Sequence, residues 1–392
     1  MILSLRFKNF YSLADDVVID FTADLSHRGL KNTLGENLIE YNSDKFVNVL
    51  GIFGANAAGK SNIVKAMDFC RKLVLNSHLH NEGKILEFEP FKFYSSQSSE
   101  FYINFVSDNI EYEYSFTISK DRILGESLYY YPNRRRAKVF VRENTFGYSY
   151  GKGVVQRPSE VEASTGVTTL FLSRASSMNR PIMKDVYRFF AENIWVGFGN
   201  SDFSDIAPDE IERNKDILLK ALEAADSDIM DITVVREPNN KFHLITYHKE
   251  NPQIAFDFER EESDGTKRLF HILLLLTKYI RRGTAFFLDE FDLKMHLKLA
   301  EFLLDFVRAS KKSQLIFTSH NQALMNPRKL RREQIIIVTK DSTGKSEFVA
   351  LSEFSGIDSK TDIQRSYLLG RYDGVPYIEV GIEKLSELMA EK

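Results

Sequence analysis

The stretch Gly51-Ile-Phe-Gly-Ala-Asn-Ala-Ala-Gly-Lys-Ser-Asn62 constrains this chain most strongly, because a strand-like run (47–50) precedes it and an amphipathic helical pattern (63–75) follows. Within it, Gly54-Ala-Asn-Ala-Ala-Gly-Lys-Ser61 fits the G-x-x-x-x-G-K-[ST] pattern. Glycines let the backbone turn tightly, so that successive N–H groups at a helix N-terminus point at phosphate oxygens. The expected nucleotide-binding residues are therefore Gly54, Asn56, Ala57, Ala58, Gly59, Lys60, Ser61 and Asn62. Lys60 would reach the β/γ-phosphates, and the Ser61 hydroxyl would bind Mg²⁺. A chance Gly-rich turn would lack this strand and helix context, so the run predicts a nucleoside triphosphate site.

With 392 residues, 43% of them hydrophobic, the chain can bury one large core or two moderate ones. A net charge of −3 excludes a strongly basic domain, so any nucleic-acid contact must come from local patches. The single cysteine, Cys70, excludes a disulfide framework and suits a reducing, cytoplasmic setting. Residues 1–8 alternate apolar and polar types as a half-buried strand does, without the apolar block of a signal peptide. The longest apolar run, 272–276, is far below the ~20 residues of a membrane span.

Along the chain, strands are expected at 2–7 and 17–21, followed by a polar, irregular 22–46. After the P-loop helix, segments at 101–106, 111–118, 127–131, 138–142 and 146–150 alternate with period two and predict an antiparallel meander. Apolar residues at helical spacing over 183–193 and 210–225 suggest an inserted helical subdomain. Strand patterns return at 231–236, 242–247 and 254–258. A helix (266–281), a strand (284–288), a helix (297–310) and a strand (314–318) follow. Alternation of this kind with continuously apolar strands indicates a parallel sheet covered on both faces. Residues 335–339 and 347–351 read as edge strands, and a short charged helix is expected from Ile382. The resulting division is an N-terminal lobe (1–157), the helical insertion (158–230), a C-terminal lobe (231–351) and a tail (352–392).

The apolar run Ala285-Phe-Phe-Leu288 ends in Asp289-Glu290, the Walker B form, in which a buried strand delivers a carboxylate to Mg²⁺. Glu290 is then placed to polarise the attacking water as general base. Ahead of that strand, Glu262-Ser-Asp-Gly-Thr-Lys-Arg-Leu269 opens a helix, where Ser263 and Gly265 offer a hydroxyl and a backbone N–H suited to a phosphate. After it come Phe291-Asp-Leu-Lys-Met-His296 and Phe317-Thr-Ser-His320. His320, just past a buried strand, is placed to donate to the γ-phosphate or to hold the attacking water.

This ordered set resembles the ABC-type ATPase head shared by SMC, RecF and OLD-like proteins: an α/β P-loop NTPase fold with an antiparallel β lobe and a mostly parallel core sheet. The resemblance implies ATP and Mg²⁺, with Ser61 and Asp289 on the metal, a D-loop at Asp292 and a switch histidine at His320. It also implies a head-to-head homodimer or higher oligomer in which Ser263 and Gly265 of one subunit complete the ATP site of another. Asn9-Phe-Tyr-Ser12, Pro90-Phe-Lys-Phe93 and the tail Leu-Gly-Arg-Tyr-Asp-Gly-Val-Pro376 look closer still to compact bacterial ATPases of the abortive-infection and RloA type. Those serve in anti-phage defence, commonly beside an effector such as a TOPRIM-fold or other nuclease. Asp264 stands where transporters often carry Gly, Leu297 where relatives often carry Pro, and Gln97 is the candidate Q-loop residue. Sustained heptads are absent, so no long coiled coil is expected. Two basic runs, Arg134, Arg135 and Arg136, and Arg328, Arg331 and Arg332, are candidate nucleic-acid contacts, solvated faces being the alternative. A RecF-like DNA-repair ATPase and an ATP-stabilised scaffold remain alternative functions.

Overall fold

The computed structural model describes residues 1–25, 34–198, 208–225, 227–237, 242–357, 361–375, 386–387 and 389–390. Pro376 and the start of the helix expected from Ile382 lie outside the described residues.

The chain opens with β1 (Ile2–Lys8), β2 (Val17–Asp20), β3 (Leu38–Tyr41), β4 (Asp44–Val47) and β5 (Val49–Gly54), then α1 (Ser61–Asn76). Five antiparallel strands follow: β6 (Ser99–Ser107), β7 (Ile110–Ile118), β8 (Ile123–Tyr130), β9 (Ala137–Glu143) and β10 (Gly147–Tyr150). Next come α2 (Ser159–Ser164), α3 (Phe171–Ser177), α4 (Pro181–Glu192), β11 (Ile194–Gly197) and α5 (Pro208–Ala224). β12 (Ile229–Arg236), β13 (Phe242–His248) and β14 (Phe256–Asp257) lead into α6 (Phe258–Glu261) and α7 (Asp264–Tyr279). The remainder is β15 (Ala285–Leu288), α8 (Leu297–Ser310), β16 (Gln314–Ser319), β17 (Ile335–Lys340), β18 (Ser346–Ala350) and α9 (Ile363–Leu368).

Among the described residues, the core sheet runs β11-β15-β16-β5-β17-β18. It is parallel throughout except for β18, which pairs antiparallel with β17. Every residue of β5, β15 and β16 is buried, as a sheet covered on both faces requires. Successive side chains point to opposite faces. Thus Leu50, Ile52, Phe287, Ile316 and Val338 enter one core with α1 and the antiparallel lobe. Val49, Phe53, Phe286, Phe317 and Ile337 enter the other with α5, α7 and α8. The antiparallel lobe, β10-β9-β8-β7-β6-β1-β2, confirms the expected meander and joins the N-terminal strands to it.

Three expectations change. The described residues of 158–230 do not form a subdomain of their own. α3 and α4 bury Phe171, Leu172, Val186 and Phe190 in the core beneath the antiparallel lobe, whereas α5 buries Ile211, Leu218 and Leu222 in the opposite core. Between them β11 crosses to become the edge of the parallel sheet. β17 is interior rather than an edge, because it pairs with β5 on one side and β18 on the other. The polar stretch 22–46 contains most of a hairpin, β3 with β4. Among the described residues no helix is long and apolar enough to cross a membrane.

Candidate functional site

The parallel strands β5, β15 and β16 end on one edge of the sheet, and the residues that follow each strand supply the site. A cavity of about 810 Å³ opens there, lined by Asn56, Ala57, Gly59, Lys60, Ser61, Asn62, Glu290 and His320 together with Tyr11, Ser12, Lys92 and Lys340. The position agrees with the rule that open α/β sheets bind ligands beyond the carboxyl ends of their strands.

The P-loop is held from outside its own sequence. Ser12, in the turn after β1, shares a 2.6 Å hydrogen bond with Ser346 of β18, and Asn62 Nδ2 donates to Ser12 Oγ at 2.7 Å. The Ser346 hydroxyl donates in turn to the Ala58 carbonyl, and Lys340 Nζ to that of Ala57. Gly59 lies at φ 107°, and a Cβ there would overlap both the Ser12 and Ser346 hydroxyls, so the loop can close only around glycine. Asn9 donates to the carbonyls of Tyr94, Gln97 and Ser98 and accepts from Phe91 N–H, which fixes the segment Glu89–Lys92 as the opposite wall.

Lys60 is buried, and its ammonium donates to the Gly54 and Ala55 carbonyls at 2.9 Å each. It also lies 3.2 Å from His320 Nδ1. An ammonium can only donate, so Nδ1 is the acceptor and the neutral ring carries its proton on Nε2. Burial, and then the neighbouring Lys60 charge, hold the His320 imidazole below its ordinary value, which keeps it neutral at pH 7. Burial also pulls Lys60 down to about 8, against the opposing effect of Asp289 and Glu290. Nucleoside triphosphate affinity is therefore expected to fall as pH rises through about 8, with proton uptake on binding. Calorimetry in buffers of different ionisation heat measures both, and an affinity level from about pH 7 to 9 would exclude Lys60 as a charged phosphate ligand.

Thr318 of β16 organises the carboxylates. Its hydroxyl donates to Asp289 Oδ1 at 2.5 Å and accepts from Glu290 N–H at 2.9 Å. Glu290 itself lies at φ 47°, a left-handed conformation that costs a non-glycine residue about 1–2 kcal/mol. This turn brings Glu290 to the cavity wall while Asp289 stays buried at the strand end. Ser61 and Asp289 offer a hydroxyl and a carboxylate oxygen, the hard donor set that suits Mg²⁺.

The signature residues lie apart from these. Ser263 is the N-cap of α7, its Oγ accepting from Thr266 N–H at 3.0 Å, and it is exposed. A Cβ on Gly265 would sit 2.8 Å from the Lys294 carbonyl, so glycine lets α7 pack directly on the D-loop that contains Asp292. Ser263, Gly265 and Asp292 do not line the cavity of their own chain. Arg268, on the same helix and mostly buried, donates to the Glu290 carbonyl at 3.4 Å.

Gln97 does not line the cavity: its side chain is exposed, and its backbone carbonyl serves as an anchor for Asn9. The second basic run does not form a charged face either. Arg331 is buried with its Nε on Glu333 and a guanidinium donor on the Asp24 carbonyl, and Arg332 donates to the Ile357 carbonyl. In the first run Arg134, Arg135 and Arg136 are all exposed, Arg136 being engaged by Glu113 and stacked on Tyr129; Arg328 is the exposed arginine of the second run. Sequence reasoning missed Ser12, Thr318 and Ser346. Only the adjacency of Thr318 to His320 hinted at its role.

Comparison with solved structures finds an SMC head bound to the C-terminal winged-helix domain of ScpA, at 15% identity and TM-score 0.46, aligned over 90% of this chain and 98% of that one. It also finds the SMC head domain from Thermotoga maritima, at 15% and 0.44 over 89% and 98%. A third is an SMC head with an extended coiled coil bound to the C-terminal domain of ScpA derived from Pyrococcus furiosus, at 15% and 0.43 over 95% and 99%. Comparison with curated proteins returns no match. Residues 49–326, from the P-loop strand to just past His320, match the family described as AAA domain, putative AbiEii toxin, Type IV TA system, and the chain belongs to that family.

Proposed function

We propose that this chain hydrolyses ATP and assembles head to head around it, Ser263 and Gly265 of one subunit closing the nucleotide site of another. The observation that carries this reading is the separation of the exposed signature from the P-loop cavity of its own chain, with Glu290 and His320 already at the cavity wall. In the mechanism, Lys60 leaves the Gly54 and Ala55 carbonyls for the β/γ-phosphates. The Nε2–H of neutral His320 donates toward the γ-phosphate, and Glu290 accepts the proton of the attacking water. Ser61 and Asp289 would hold Mg²⁺, which when bound would supply charge neutralisation of the phosphates. Binding of the γ-phosphate selects the closed assembly and hydrolysis releases it.

The assembly is further proposed to control a partner effector, a nuclease or toxin, in bacterial anti-phage defence of the abortive-infection or RloA kind. The toxin–antitoxin wording of the family description supports a role of that class. A DNA-binding repair ATPase is the second reading, favoured by the exposed Arg134 and Arg135. Salt-dependent duplex binding that weakens on their replacement would support it.

Light scattering of the purified chain tests the shared site. Mass should roughly double with ATP, Lys60→Ala should abolish both binding and doubling, and Ser263→Arg should bind nucleotide yet remain a monomer. A Ser263→Arg protein that still doubles would sink the trans arrangement. Purification of the tagged chain with its neighbouring gene products tests the effector: a nuclease-like partner supports the defence reading, and recovery of the ATPase alone opposes it.

A further inference from the structure

The residue just before the signature serine is buried in a polar cluster that the site described above does not use. Glu262, whose side chain is 8% exposed, accepts from the Thr246 hydroxyl at 2.6 Å and lies 2.8 Å from His248 Nε2 through the same oxygen. The other ring nitrogen, Nδ1, lies 3.0 Å from the exposed carboxylate of Asp228. Phe256 of β14 packs edge-on against the ring at 4.5 Å between centroids. Thr246 and His248 belong to β13, so one contact joins the small β12-β13-β14 sheet to the loop that presents Ser263.

We propose that His248 is a positioning residue for the signature, its imidazolium clamping Glu262 to Asp228 and so fixing the Ser263 N-cap in the orientation that meets a partner subunit's nucleotide. The proposal deepens the shared-site reading above and rests on it for its catalytic consequence. Both ring nitrogens face carboxylates, and a neutral imidazole has only one N–H to give. With one nitrogen deprotonated, either Asp228 or Glu262 faces a lone pair instead of a donor. Burial works to lower the His248 pKa, but the hydrogen bonds the ring donates to the Asp228 and Glu262 carboxylates outweigh it and raise the pKa above its ordinary value. The clamp is therefore complete below the ordinary histidine pKa and is lost as pH rises through the raised one.

Charged groups on the packed elements leave this assignment intact. Asp228 and Glu262 face the ring. Asp257 on β14 is turned into the cap of α6, accepting from the Glu259 and Arg260 N–H groups. Lys249, next in the chain, pairs with Glu223, and Lys267 donates to the Glu259 carbonyl. Loss of the clamp frees Glu262, the residue from which α7 is launched, and loosens the Ser263 Oγ that accepts from Thr266 N–H.

Two measurements on the full chain test this. The first is hydrogen exchange of the Thr266 and Lys267 amides, which needs no assembly. The wild type should lose protection relative to His248→Gln as pH rises from about 6 to 9, and the variant should respond only as intrinsic exchange does. The second is the pH profile of ATP turnover. His248→Gln should run roughly tenfold below wild type in kcat/KM at low pH, converge with it at high pH, and leave monomer nucleotide affinity unchanged. His248→Ala should behave as His248→Gln does if the charged clamp is what matters. Parallel wild-type and His248→Gln profiles in both measurements would overturn the proposal. A pH-dependent exchange difference with no ATP-driven assembly at any pH would uphold the clamp and overturn the shared-site reading instead.

Discussion

Glu290→Gln lowers ATP turnover by roughly 10²–10⁴-fold, the range that removal of a positioned general base produces. The substitution keeps the side-chain shape and the backbone contact to Thr318 Oγ1, so the left-handed turn at Glu290 persists. Nucleotide affinity should hold or rise, because Lys60, Ser61 and the loop amides are untouched and removal of one negative charge favours the phosphates. ATP should then accumulate in the closed assembly, visible as a dimer mass that does not decay with time. Single-turnover kinetics separates this outcome from a binding defect. Turnover within a few fold of wild type would show that Glu290 is not the base and that the water is activated from elsewhere, His320 being the next group on the cavity wall.

Glu126→Ala destabilises the fold by about 3–5 kcal/mol, the cost of breaking a buried charge pair by deleting one partner. The Glu126 carboxylate, fully buried, accepts from the Phe171 and Leu172 N–H groups at the start of α3 and from the Tyr114 hydroxyl, and lies 3.7 Å from Arg142. Arg142 spends its remaining donors on the Thr145, Thr169 and Gly166 carbonyls. Truncation leaves donors and a guanidinium buried without their acceptor. Because α3 packs on α1, the helix that begins at Ser61, the damage should reach the nucleotide site as well as the antiparallel lobe. Denaturant unfolding with the slope held constant measures the loss. A change below about 1 kcal/mol would mean that relaxation or water rescues the stranded groups. Glu126→Gln should fall between, since one acceptor oxygen survives while Arg142 loses its counter-charge.

The two cases differ in how far the sequence revealed them. Glu290 sits in a contiguous motif, an apolar strand followed by two carboxylates, and the role proposed for it follows from neighbours in the chain. Glu126 sits in a strand of mixed polarity, and nothing nearby in sequence names Arg142, Tyr114 or the start of α3 as its partners.

The same line runs through the whole molecule. From sequence alone came the P-loop, the antiparallel meander and the parallel sheet, together with the Walker B, signature and His320 readings on which the proposed function rests. Each is written in consecutive residues, as glycine spacing at a helix start or as period-two and fully apolar strand patterns, and backbone sterics and burial act on such runs directly. Only the tertiary structure decided which distant groups meet. Ser12 and Ser346, 334 residues apart, close on Gly59 because Ser12 lies in the turn between β1 and β2, and β2 and β18, edge strands of two different sheets, meet there. Thr318 reaches Asp289 because β16 is the neighbour of β15. Strand order likewise divided 158–230 between two cores, buried Arg331 and left Gln97 outside the cavity. Strand order is a property of long-range packing, in which many apolar contacts together outweigh the entropy of closing long loops, and no short window of residues contains it.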